Sequence, residues 1–87
     1  MNRQTVLLKE VERALRTGVN QGESGVLMQL YAQQELRDIR GVRRWEFEDI
    51  TLTQMVRGMT VRVWLDSDPD DHPGHKVGYP CPDQVLA

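Results

Sequence analysis

Met59-Thr60-Val61-Arg62-Val63-Trp64-Leu65 is the stretch whose reading decides the fold class. Met59, Val61, Val63 and Leu65 fall on one side of an extended chain and Thr60, Arg62 and Trp64 on the other. With its β-branched content, that alternation predicts a strand. Upstream, Trp45-Glu46-Phe47-Glu48-Asp49 alternates large apolar and acidic residues and predicts a second, half-buried strand. Between them, Thr51-Leu52-Thr53-Gln54 has the spacing of a capping box, so a short helix over 52–57 closed by Gly58 is expected. Two such strands pair as an edge-exposed unit, and because an isolated hairpin is marginal in water they need something to pack against.

That support lies towards the N-terminus. Leu7, Leu8, Val11, Ala14 and Leu15 recur at intervals of three and four and predict a helix over 5–16, with Asn2 or Thr5 at its start and Gly18 at its stop. The glycine-containing segment 18–25 reads as a connection short enough to turn two helices antiparallel. Ser24 can cap a second helix, on which Leu27, Met28, Leu30, Tyr31, Ala32, Leu36 and Ile39 make a broad apolar face suited to more than one neighbour, with Gly41 to end it. The sequence thus specifies an α+β body over 1–65: two antiparallel helices followed by a small two-stranded β unit.

After Leu65 the composition changes. Asp66, Asp68, Asp70 and Asp71 arrive with Pro69 and Pro73, followed by Gly74, Gly78, Pro80 and Pro82, so 66–87 reads as an irregular or extended acidic tail. Charge divides at nearly the same place, with +2 over 1–62 and −4 over 63–87. A strongly basic nucleic-acid-binding character is therefore available only as a local patch.

Eighty-seven residues, 39% of them hydrophobic but only five aromatic, form one domain whose core rests on aliphatic and methionine packing. The single cysteine, Cys81, excludes an internal disulfide and points to a reducing compartment, the cytoplasm. Arg3, Lys9, Glu10 and Glu12 interrupt any apolar run at the N-terminus, so no signal peptide or membrane contact is expected.

Candidate sites are few. Asp66, Asp68 and Asp70 have the spacing of the first calcium-loop ligands, but Asp71 and Val77 stand where that loop needs glycine and glutamate. His72, His75 and Cys81 are zinc-type ligands that fall one short of a tetrahedral set, so no metal or other cofactor is expected. Cys81 between Pro80 and Pro82 has no activating group, Glu46, Glu48 and Asp49 lack the contrasting environments of a catalytic pair, and no phosphate loop or nucleophile elbow occurs. An enzyme is not expected.

Arg37, Arg40, Arg43 and Arg44, with Trp45 beside them, could hold phosphate and stack on a base, although Glu35, Asp38, Glu46 and Glu48 offset their charge. The preferred expectation is a protein-binding module: an adaptor, inhibitor or assembly factor that meets another protein or a second copy of itself. Its contacts would be Leu27, Leu30, Tyr31 and an exposed Trp64. Nucleic-acid binding through the four arginines is the alternative.

Overall fold

A computed structural model describes residues 2–80, which form α1 (Arg3–Gln21), α2 (Gly25–Arg37), β1 (Val42–Leu52), β2 (Arg57–Leu65) and β3 (His75–Tyr79). The strands make one antiparallel sheet in the order β1-β2-β3. Two helices followed by a small antiparallel sheet is the α+β arrangement expected, with one more strand. β3 arises inside the segment read as acidic tail. There the register pairs Val77 with Val61 and Tyr79 with Met59, and Val77 and Tyr79 pack on the core. Backbone pairing with β2 overrides the low strand propensity of glycine and the nearby prolines.

Asn2 caps α1, its side chain accepting the Thr5 N–H at 2.8 Å. The helix does not stop at Gly18. It runs one turn further and ends at Gly22, whose N–H bonds the Gly18 carbonyl. Gly18 is instead where the helices cross: a Cβ there would strike the Met28 carbonyl and come within 2.9 Å of the Ala32 Cβ. Gly22 lies against Met28 and Gly18 against Ala32, so positions descend along α1 as they ascend along α2 and the pair is antiparallel. The connection is only 22–24, and Ser24 caps α2 by accepting the Leu27 N–H.

No helix forms over 52–57. β1 continues to Leu52, and the Thr53 hydroxyl accepts the Met55 and Val56 N–H groups, so the presumed capping box closes a hairpin loop instead. Arg57, the first residue of β2, donates to the Val19 carbonyl at 2.7 Å and to the Gly22 carbonyl. It supplies the cation that the last turn of α1 lacks in its own sequence.

β1 carries two bulges, in which Arg43 and Glu48 are the extra residues. Each switches the phase of the alternation, so Val42, Trp45, Phe47 and Ile50 all pack on the core although their numbering is irregular. β2 is the central strand and is buried on both faces. On one, Met59, Val61 and Val63 join Val11, Leu15, Val19, Met28, Ala32 and Leu36 in the core. On the other, loop 66–74 folds back over Trp64.

Candidate functional site

The outer face of α2 lies opposite its buried residues Met28, Ala32 and Leu36. It carries Val26, Leu27 and Leu30, which are 79%, 36% and 44% exposed. Gln34 and Arg37, both exposed, continue the same arc. Tyr31 sits at its flank, half-buried. The broad apolar face read from the sequence therefore divides: one arc fills the core and the other meets solvent. Leu52 and Met55 are also exposed, on the β1 end and the hairpin loop beside it.

Trp64 is not part of this surface, and the expectation that it is exposed is corrected. It is only 9% exposed, its indole Nε1 donates to the His72 carbonyl at 2.8 Å, and the Arg44 guanidinium lies 4.4 Å from its ring centre. A residue out of phase with the core face still becomes buried when a distant loop covers the opposite face of the sheet.

The four arginines do not all converge: Arg43 and Arg44 line one hollow with Trp64 and Asp70, whereas Arg40 lines a separate groove. Arg43, aimed by its bulge, bonds the Asp70 carboxylate at 3.4 Å and the Pro69 carbonyl at 3.2 Å, so the acidic segment does meet the basic one. Arg44 pairs with Glu46 at 2.6 Å while it stacks on Trp64. Arg37 ends α2 on the outer face. Arg40 borders a groove of about 530 Å³ between α1 and α2, where Glu10, Glu35 and Asp38 also lie. Arg40, Arg43 and Arg44 each have carboxylates close by.

Loop 66–74 has a defined geometry of its own. The Asp68 side chain is only 7% exposed, and its Oδ2 accepts the Leu65 N–H at 2.8 Å. His75 Nε2 lies 3.1 and 3.0 Å from its two oxygens, and His72 Nδ1 lies 3.9 Å from Oδ2. The imidazoles stand side by side, with ring centres 4.5 Å apart. Burial acts to raise the Asp68 carboxyl, but the Leu65 N–H, the His75 hydrogen bond and the nearby histidine charges outweigh it, and the group is held below the usual carboxylate range. His72 Nδ1 accepts the Gly74 N–H at 2.8 Å.

The sequence reading placed Asp68 with Asp66 and Asp70, and the histidines with Cys81. The fold joins Asp68 to the histidines instead. Their spacing, four and seven residues on from Asp68, was the available signal. Cys81 lies outside the described residues. None of the described helices is long and apolar enough to cross a membrane.

Compared with protein-family models, curated proteins and solved structures, the chain gives no match. The functional reading rests on its own residues.

Proposed function

We propose that this chain is a small non-enzymatic protein-binding module of the cytoplasm, an adaptor, inhibitor or assembly factor. It docks another protein, or a second copy of itself, on the outer face of α2. The supporting observation is the row Val26, Leu27 and Leu30, exposed on the side of the helix away from its own core. An apolar row with Tyr31 at its flank and Arg37 at its end has the composition of a contact surface, in which a few apolar, aromatic and arginine anchors carry most of the energy. Trp64, enclosed by Arg44 and loop 66–74, has no part in this reading.

The test is Leu27→Glu combined with Leu30→Glu, two exposed positions whose change leaves the core intact. Sedimentation equilibrium of the purified chain and affinity capture from its host, with nuclease treatment, are run on the parent and on the double variant. The parent should self-associate or retain a stoichiometric protein that the variant loses at an unchanged unfolding midpoint. A monomeric parent that retains only what the variant retains removes the proposal.

Nucleic-acid binding through Arg37, Arg40, Arg43 and Arg44 has weaker support, because affinity for phosphates rests on uncompensated charge, and Arg40, Arg43 and Arg44 lie beside carboxylates. Under that reading any binding would weaken steeply as salt rises. Docking on the α2 face should respond little.

A further inference from the structure

Asp68, His72 and His75 offer one ligand atom each, all within 4.8 Å of one another, from loop 66–74 and the first residue of β3, whose positions are fixed by their neighbours. Asp68 Oδ2 holds the Leu65 N–H at the end of β2, the Trp64 indole holds the His72 carbonyl, and His75 opens β3, paired with Val63. The three side chains are 7%, 26% and 15% exposed, so they are mostly withdrawn from solvent yet open on one side.

Four-coordinate zinc with nitrogen and oxygen ligands at about 2.0 to 2.1 Å sets neighbouring ligand atoms ~3.3 Å apart. His75 Nε2 and Asp68 stand at 3.0 Å, close to that spacing, whereas His72 Nδ1 stands 3.9 Å from Asp68 Oδ2 and must move inward to join them. Two neutral imidazoles with one carboxylate match a divalent ion, and imidazole nitrogen suits zinc-class metals better than calcium or magnesium.

The geometry points to a zinc-class divalent metal site built by Asp68, His72 and His75, with a fourth position open to water or another ligand. The metal takes the place of the contact between His75 Nε2 and the Asp68 carboxylate. The Leu65 N–H stays on Oδ2 as an orienting partner of the carboxylate. His72 is the adjustable ligand: its Nδ1 lone pair points at the Gly74 N–H and must give up that bond to coordinate. Its removal should therefore cost less affinity than removal of His75. Metal held here ties the loop that covers Trp64 to the first residue of β3, so binding stabilises the sheet.

The test uses the full chain, stripped with a chelator and titrated with Zn²⁺ by calorimetry, with Co²⁺ absorption to report coordination. One equivalent should bind with micromolar or tighter affinity, raise the unfolding midpoint and give the intense visible bands of low-coordinate Co²⁺. Asp68→Asn keeps an acceptor for Leu65 and His75→Gln keeps a polar side chain, so both should fold, with unchanged far-UV circular dichroism. Each should weaken binding by more than about 100-fold, beyond the loss typical of outer-shell partners, and His72→Gln by about tenfold. No saturable uptake by the full chain overturns the site, as does a His75→Gln variant that binds as tightly as the parent. Binding that is abolished by Cys81→Ser but unaffected by His75→Gln overturns it too.

Discussion

Single side chains tie distant elements of this chain together, and Arg57 does so most directly. Its two hydrogen bonds to carbonyls at the end of α1 join the hairpin to the helix, and a charged donor to such acceptors is worth about 1.5 to 3 kcal/mol. Arg57→Ala should lower the unfolding free energy by about that amount in urea titration, with Arg57→Lys in between, because an ammonium cannot span both carbonyls in the same way. Gly18 acts by absence of bulk. Gly18→Ala adds a favourable helix former, ~1 kcal/mol, yet forces α1 and α2 apart where their backbones touch, an overpacking cost of up to about 3 kcal/mol. A net fall in melting temperature is expected, whereas a rise would mean that the crossing can open freely. Trp64→Ala removes a ring enclosed by Arg44 and loop 66–74, and about 3 kcal/mol of stability should go with it. That loss should be read in the urea midpoint of a monomeric sample, where partner contacts play no part.

At the scale of elements, what could be read from the sequence depended on how local the deciding interaction is. Ser24, Asn2 and the period of Val11, Ala14 and Leu15 act within a few residues, so both helices were legible. β2 was legible too, because strict alternation from Met59 to Leu65 needs no knowledge of its neighbours. The rest is set by partners far away in the chain. Gly18 resembles a stop until Met28 crosses it, and Thr51 to Gln54 resemble a helix start until the strands on either side pair. His75 to Tyr79 resemble a tail until β2 offers its second edge. Of the candidate surface, Leu27 and Leu30 stood out by breadth of pattern, but Trp64 did not reveal its cover. The link between Asp68 and the histidines arises only when the loop turns back. The bulges of β1 were hidden for the same reason, and they make an element-scale prediction. Without Glu48, residues on either side alternate regularly, so Phe47 and Ile50 keep facing the core. Deleting Glu48 should thus change stability by no more than about 1 kcal/mol, the worth of its pair with Arg62, while straightening an exposed edge strand. Light scattering at high concentration should show more aggregation of the deletion variant than of the parent, since bulges interrupt edge-to-edge pairing.

Across the whole molecule, the sheet has two edges and one fully covered strand, and the cover on one side comes from the chain beyond Leu65. A chain ended at Leu65 keeps every patterned apolar residue of the body but loses β3 and the loop over Trp64. It should therefore unfold without a cooperative transition in calorimetry, while the full chain shows one. The same layout governs the order of events during synthesis. α1 packs against β2 and β3 as well as α2, and both strands follow the helices in the chain, so the part of the stripe of Leu7, Val11 and Leu15 that α2 leaves bare emerges from the ribosome before the sheet exists. A nascent chain halted in the hairpin loop presents a helical pair with one bare apolar side, a natural ligand for a holding chaperone until β2 and β3 are released.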